Sequence, residues 1–194
     1  MNIKSVLAAS TAVMLAAPAM AEPTAEVLHW WTSGGEAKSV AVLQEQFAAE
    51  GGTWTDMPVA GGGGDAAMTA LRARVLAGNA PTAVQLKGPA IQEWYEETGL
   101  ADIGTVAEEN GWADVLPAQI AAHMKCEDQW CAAPVNVHRV NWIWGNKQIL
   151  DENGIEMPTT WEEFNAAAEK LQAAGITPLA HGGQNWQDAT IFET

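Results

Sequence analysis

Positively charged side chains are scarce in this chain of 194 residues. It has 9 lysines and arginines against 24 aspartates and glutamates, which gives a formal net charge of -15 at pH 7. Nucleic acid phosphates and anionic lipid headgroups both require a basic patch, and this charge would repel them. The composition therefore argues against nucleic acid and membrane surfaces as partners.

No apolar run reaches the roughly 20 residues that a helix needs to cross a bilayer. The N-terminus comes nearest, because residues 1–21 carry one cation, Lys4, then an apolar stretch over 6–17 and the small-residue sequence Ala-Met-Ala. That order is typical of a cleavable signal peptide, so we predict export to the periplasm. No cysteine follows the predicted cleavage site, and we expect neither a lipid anchor nor membrane insertion.

Only two cysteines are present, Cys126 and Cys131, and a short polar connection of the kind that closes a hairpin separates them. In an oxidising compartment an even cysteine count favours a disulfide. A zinc site is the alternative, because His123 and His138 lie on either side of the pair and would complete a Cys2His2 set. The spacing matches no familiar zinc finger, so we predict the disulfide and no metal.

Signatures of catalysis and of phosphate binding are also missing. The chain has no Gly-x-Ser-x-Gly elbow, and its candidate crevice offers one carboxylate, Glu36, where glycoside hydrolysis needs a pair. Four consecutive glycines occupy 61–64, but no Lys-Ser/Thr pair follows them. We therefore predict a flexible turn near the cleft instead of a phosphate loop, and a protein that is not an enzyme and uses no cofactor.

What the chain does contain is an alternation of strand-like and helix-like patterns, which predicts an α/β layer structure with parallel strands. The predicted strands are 26–31, 83–86 and 176–180, and the predicted helices begin near residues 36, 65, 89 and 160. In the same order, the residues expected on the buried faces of these four helices are Val40, Leu43 and Phe47; Met68, Leu71 and Val75; Ile91 and Trp94; and Phe164, Ala168 and Leu171.

Smaller signals complete this outline. Asp65 is the expected N-cap of its helix, and Thr160 with Glu163 forms an expected capping box. Asp188 is the expected N-cap of a last helix that carries Ile191. Residues 132–144 are expected to be extended, and they are a candidate passage between two lobes.

Trp30 and Trp31 end the first predicted strand, and in open α/β sheets ligands lie beyond the carboxyl ends of the strands. Sugars present flat faces that stack on aromatic rings. Successive strand side chains point to opposite faces, so we expect one of the two rings to be partly buried. Trp31, nearer the loop, is the expected ligand contact. The alternative is that both rings belong to the core.

Three further polar residues are candidates at the same edge. Glu36 has two interpretations of similar weight: a capping box with Ser33, or a carboxylate that accepts hydrogen bonds from two sugar hydroxyls. Gln85 and Lys87 flank Leu86 at the end of the second predicted strand, so their side chains are expected to project together toward the crevice. For Lys87 a solvated surface charge is the alternative.

Four segments together resemble the extracellular solute-binding proteins of family 1, and most closely the glucose/mannose-type sugar-binding proteins of ABC importers. The segments are 28–32 with Gly35 and Glu36, then 85–88, 133–139 and 158–164. The resemblance implies a periplasmic binding protein-like, two-lobed Venus-flytrap fold of type II that encloses a monosaccharide, with glucose as the expected ligand. It further implies a membrane permease as partner, and we expect a monomer. An oligosaccharide or glycerol phosphate is the runner-up ligand, and a periplasmic carbohydrate-active enzyme is a distant alternative.

The resemblance also implies how site residues divide between the lobes. The first lobe, 22–135, would contribute Trp30, Trp31, Glu36, Gln85 and Lys87. Asn136 and His138 would lie at the interlobe crossing, although a buried histidine bonded to backbone is an equal alternative for His138. Trp186 would be a stacking partner from the second lobe. The chain stops without a helix C-terminal signal, so we expect 136–194 to hold the crossing and an incomplete second lobe, and residues 22–194 alone to be poorly soluble and to bind glucose weakly.

Overall fold

Three parallel strands form the sheet that organises the fold. The computed structural model describes residues 22–140 and 142–192, so the predicted signal peptide lies outside the described residues. Strands β1 (Thr24–His29), β2 (Thr53–Pro58) and β3 (Ala83–Val84) lie in the order β2-β1-β3. The parallel sheet predicted from the sequence is confirmed.

Helices and a short hairpin surround this sheet and continue the chain beyond it. The hairpin strands are β4 (Lys125–Cys126) and β5 (Gln129–Trp130), which pair antiparallel. The helices are α1 (Gly34–Ala49), α2 (Asp65–Leu76), α3 (Ala90–Thr98), α4 (Gly104–Glu109), α5 (Trp112–Val115), α6 (Ala118–His123), α7 (Lys147–Glu152), α8 (Trp161–Ala173) and α9 (Asn185–Phe192). Residues 132–140 and 142–144 hold neither helix nor strand.

The main core lies between the sheet and helices α2 and α3. Leu28 on the central strand is fully buried, and it packs in one cluster with Ala67, Leu71 and Trp94. Burial of a leucine side chain contributes about 1.5–3 kcal/mol, so this cluster fixes α2 and α3 against one face of the sheet. The predicted burial of Leu71 and of Trp94 is confirmed. Because β1 and β3 are parallel, their carboxyl ends lie at the same edge of the sheet.

A second core cluster surrounds the hairpin. Cys126 and Cys131 form a disulfide with their Cα atoms 5.7 Å apart, and both pack with the buried Ile91 of α3. The predicted disulfide is confirmed. The zinc alternative is wrong, because each sulfur is bonded to the other and neither is available as a thiolate ligand.

The predicted capping box at the start of α8 is confirmed. The Thr160 hydroxyl accepts a hydrogen bond from the Glu163 backbone N–H at 3.2 Å, while the Glu163 carboxylate accepts from the Thr159 N–H at 2.7 Å. The pKa of Glu163 is lowered chiefly by that backbone hydrogen bond, with the Thr159 hydroxyl adding to it. With its N-terminus fixed, α8 buries Ala167 and Leu171.

Several sequence predictions about elements are wrong. Strand β2 was not predicted, because its polar sequence lacks an apolar alternation. Residues 176–180 form no strand, since Pro178 lacks an N–H for a ladder and no described strand lies beside them. Leu43 on the predicted buried face of α1 is 39% exposed.

Other element boundaries shift by a few residues. Strand β1 ends at His29 instead of residue 31, and β3 ends at Val84 instead of 86. The N-cap of α2 is Gly64, in a left-handed conformation, and Asp65 is the first helical residue, where its charge still complements the helix dipole. Helix α9 begins before Asp188, whose carboxylate contacts His181 instead of capping a helix.

Candidate functional site

The residues predicted to bind a ligand lie around the carboxyl ends of β1 and β3. Trp30 and Trp31 directly follow β1, and Gln85 and Lys87 lie just beyond β3. One long open groove is lined by all eight predicted residues: Trp30, Trp31, Glu36, Gln85, Lys87, Asn136, His138 and Trp186. Residues that are up to 156 positions apart in the sequence therefore border the same groove.

Gln85 holds the backbone of the first tryptophan. The side-chain oxygen of Gln85 accepts a hydrogen bond from the Trp30 backbone N–H at 3.1 Å. The backbone N–H of Gln85 donates to the Leu28 carbonyl at 2.8 Å. The backbone N–H of Gln85 thus continues the β1–β3 pairing by one residue beyond the end of β3. The side-chain oxygen of Gln85 is already an acceptor for Trp30. The side-chain NH2 group of Gln85 is therefore the part that can donate to a ligand.

The two tryptophans, which follow the end of β1, differ in burial. Trp31 is only 7% exposed, whereas Trp30 is half-buried and packs against the core cluster that contains Leu28. Trp31 lines the groove, but its small exposed fraction leaves too little surface for a full ring face to contact a ligand. The structure thus places more free ring surface on Trp30 than the sequence analysis expected.

A buried histidine lies under Trp31 and was not identified from the sequence. His29 is 5% exposed, and its Nδ1 accepts a hydrogen bond from the Trp31 N–H at 3.2 Å. Its Nε2 lies 2.9 Å from Oδ1 of Asp56 on β2. Gln44 and Trp54 also donate to that oxygen, each at 3.0 Å.

The Asp56 carboxylate is held in its charged form by these contacts. Burial by itself raises the pKa of Asp56, but the hydrogen bonds from Trp54, His29 and Gln44 outweigh burial, and the pKa lies below its ordinary value. An ionised Asp56 is an acceptor only, so it requires the proton of the histidine ring on Nε2. The network ties α1, β2 and the end of β1 into one unit.

The glycine turn, residues 61–64, forms a wall of the groove. Gly63 and Gly64 both have positive φ, at 56° and 110°. A β carbon built on Gly63 would lie 3.0 Å from the Trp186 ring, and one on Gly64 would lie 3.2 Å from the Trp30 ring. Two tryptophans that the sequence analysis placed in the ligand site therefore pack against adjacent residues of this turn.

Lys87 is held by the same turn. Its ammonium group donates to the Gly63 carbonyl at 2.6 Å and lies 5.9 Å from the centre of the Trp30 ring. Lys87 is exposed, so the alternative of a solvated surface charge stays open beside its contact with the turn. Among the described residues that line the groove, Lys87 is the only lysine or arginine.

Glu36 lies in the first turn of α1 and is exposed. Ser33 occupies the N-cap position, but its side chain makes no capping hydrogen bond, so the predicted capping box is wrong. Glu36 is the third helical residue, the position that a capping box requires, but the Ser33 side chain makes no hydrogen bond to the helix end, and Glu36 lines the groove. The Glu36 carboxylate is available to accept hydrogen bonds from a ligand.

The remaining three residues come from later in the chain. Asn136 Nδ2 and His138 Nε2 lie 2.8 Å apart, and both side chains are exposed. The alternative of a buried His138 bonded to backbone is therefore wrong. Trp186 on α9 is 40% exposed and donates from its ring N–H to the Gln184 side chain at 2.8 Å.

The groove is lined by several kinds of chemical group. It offers aromatic rings together with carboxylate, amide and imidazole groups. In the part of the chain that the structure describes, no group of three or more His, Cys, Asp or Glu side chains is placed to hold a metal ion. No helix over 22–140 or 142–192 has the length and apolar character to cross a membrane.

Two relatives share much of this sequence. A probable sugar-binding periplasmic protein of Rhizobium meliloti is 56% identical over 186 residues, which cover 95% of this chain and 45% of the relative. A protein of Brucella melitensis with the same description is 54% identical over 177 residues, which cover 91% of this chain and 42% of the relative. The chain thus spans less than half the length of either relative.

The fold and the family follow from two further comparisons. A chitin oligosaccharide binding protein of known structure superposes with a TM-score of 0.62 at 22% identity, over 84% of this chain and 42% of that protein. The fold is that of the two-lobed periplasmic solute-binding proteins. The family model described as bacterial extracellular solute-binding protein matches residues 31–194. This chain belongs to the bacterial extracellular solute-binding proteins.

Proposed function

We propose that the protein captures a monosaccharide in the periplasm and delivers it, chemically unchanged, to the permease of an ABC importer. Glucose or a similar hexose is the proposed ligand. The proposal includes export through a signal peptide at 1–21, a first lobe at 22–135, and the crossing with the start of a second lobe at 136–194. The protein is proposed to act as a monomer.

The observation that carries this proposal is that eight polar and aromatic side chains all line one groove. A hexose has flat C–H faces and a ring of hydroxyls, so it needs aromatic surface together with hydrogen-bonding groups. Trp30 and Trp186 supply ring surface, while Glu36 supplies a charged acceptor. Hydrogen bonds to a charged group are worth about 1.5–3 kcal/mol each, so Glu36 is the proposed anchor for two neighbouring hydroxyls.

The relatives support the same ligand class. Both the Rhizobium meliloti and the Brucella melitensis proteins are described as probable sugar-binding periplasmic proteins. An anionic ligand such as glycerol phosphate fits the groove less well, because Lys87 is the one lysine or arginine among the described lining residues and Glu36 would repel a negative charge. A glycosidase would need a second carboxylate near Glu36, and the described residues that line the groove include no other acidic side chain.

Calorimetric titration of the full-length protein with a panel of sugars tests the proposal. The panel should contain glucose, galactose, mannose, xylose, maltose and glycerol 3-phosphate. Saturable binding of one hexose per protein, with no product formed from glycosides over hours, is the expected result. Preferential binding of maltose or glycerol 3-phosphate would contradict the proposed ligand, and steady product release would contradict the transport function.

A further inference from the structure

We propose that His29 is a positioning residue of the sugar site, which acts through the backbone of Trp31 and contacts no sugar itself. The inference rests on the proposed function, because it assigns a role in sugar binding. The side chain borders the groove, but only 5% of its surface is exposed. Its two ring nitrogens contact different parts of the fold, one at the site and one at the sheet.

The hydrogen bonds define a single tautomer. The Trp31 N–H can only donate, so Nδ1 of His29 must present its lone pair. The one proton of a neutral imidazole is then on Nε2 and points at Oδ1 of Asp56, 2.9 Å away. The ring is therefore a neutral bridge that accepts from the site and donates to β2.

The other end of the bridge is rigid. Oδ1 of Asp56 also accepts from Gln44 on α1 and from Trp54 on β2. In addition, the His29 carbonyl accepts from the Val59 N–H at 2.8 Å, which continues the β1–β2 pairing past the end of the strands. A ring fixed in this way cannot turn to release Trp31 without breaking its contact with Asp56.

The position of the Trp31 amide matters because it sets where the chain leaves β1. Only Thr32 and Ser33 separate Trp31 from the start of α1, and Glu36 lies in the first turn of that helix. Gln85 fixes the preceding amide, that of Trp30. His29 and Gln85 together hold two successive amides, and through them the approach of Glu36 to the groove.

Two substitutions of His29 each keep one of its two hydrogen bonds and remove the other. In His29→Asn the amide oxygen replaces Nδ1 and can accept from Trp31, but the side chain is too short to reach Asp56. In His29→Gln the amide nitrogen replaces Nε2 and can donate to Asp56, but no acceptor remains near Trp31. Both variants remove a buried ring and should lower the melting temperature of the full-length protein by similar amounts.

Calorimetric titration with glucose and thermal unfolding of both variants form the first test. If His29 positions Trp31, His29→Asn keeps its affinity within about threefold of wild type, while His29→Gln weakens about tenfold, as expected when one hydrogen bond of about 1.4 kcal/mol is lost. Equal affinity losses in the two variants, or wild-type affinity in His29→Gln, would overturn the inference.

A second test does not depend on sugar. Nitrogen NMR of the histidine ring should find the proton on Nε2, and hydrogen exchange should find the Trp31 amide protected in wild type and His29→Asn but not in His29→Gln. A ring proton on Nδ1, or equal protection in all three proteins, would overturn the inference. A wild-type protein that binds no sugar but shows these signals would contradict the proposed function instead.

Discussion

The ammonium group of Lys87 donates a hydrogen bond to the carbonyl oxygen of Gly63, with 2.6 Å between Nζ and that oxygen. This contact joins the glycine turn to the residues that follow β3. The same turn also lies against the rings of Trp30 and Trp186. The segment predicted from the sequence to be a flexible turn near the cleft thus forms a wall of the groove, and its lack of side chains is what allows the two rings to approach.

Substitution of the turn glycines should separate backbone strain from ring contact. Gly64→Ala and Gly61→Ala carry similar strain, since their φ angles are 110° and 99°, but only at Gly64 would the new methyl group meet the Trp30 ring. Both variants should lose about 1–3 kcal/mol of stability. Only Gly64→Ala should also weaken glucose binding, by about 5-fold to 10-fold, through displacement of Trp30. Calorimetry with parallel urea unfolding measures both effects, and equal affinities in the two variants would show that the turn does not shape the site.

Removal of the Trp31 ring should affect both folding and binding. The side chain is 7% exposed, so Trp31→Ala should lower the free energy of unfolding by about 3–5 kcal/mol. It should also weaken glucose binding by about 1–3 kcal/mol. Trp142→Ala is the matched control, because Trp142 is half exposed and does not line the groove. Unchanged affinity in a folded Trp31→Ala protein would assign Trp31 to the core alone.

The disulfide should stabilise the fold without influencing the ligand. The loop between Cys126 and Cys131 is short, with a sequence separation of 5, so the entropy of closing it is worth about 2 kcal/mol. A double Cys→Ser variant should lose about that much stability by urea unfolding and retain its glucose affinity. A large loss of affinity would show that the hairpin contributes to the site.

Acid should destabilise the protein partly through Asp56. Its folded-state pKa lies below the ordinary value of 3.8, so its charged form stabilises the fold at pH values above that value. This contribution is lost as the pH falls from there through the lower folded-state pKa. Urea unfolding between pH 6 and pH 3 should therefore show a smaller acid-induced loss of stability in Asp56→Asn than in wild type. Asp128→Asn, on the exposed turn of the hairpin, is the control, and identical pH profiles for all three proteins would contradict the role of the network.

Local sequence signals predicted the elements that depend on interactions within one helix or one short segment. The capping box at Thr160 and the apolar spacing of Leu71 and Val75 each lie within one helix, and the cysteines are five positions apart. Strand β2 could not be found in this way, because Thr53–Pro58 is polar and is held by its register with β1. Residues 176–180 looked like a strand from their apolar content, although Pro178 has no N–H for a ladder.

The part of the candidate site that lies at the ends of strands could be predicted from the sequence. Trp30, Gln85 and Lys87 follow strands directly, and so their convergence follows from a parallel sheet. The role of His29 could not be inferred, because Asp56, its partner, is 27 positions away on the strand that was missed. The one signal that pointed to His29 was its position directly before the two tryptophans.

The binding proposal is tested most directly by calorimetric titration of glucose into the full-length wild-type protein and into Glu36→Gln. The account predicts one site per wild-type protein with a dissociation constant in the micromolar range, which corresponds to about 8 kcal/mol. Glu36→Gln should weaken that binding at least about tenfold, because a charged acceptor for two hydroxyls becomes a neutral one. Absence of heat with every hexose in the panel, or equal affinity in the two proteins, would contradict the claim that this groove is a sugar site anchored by Glu36.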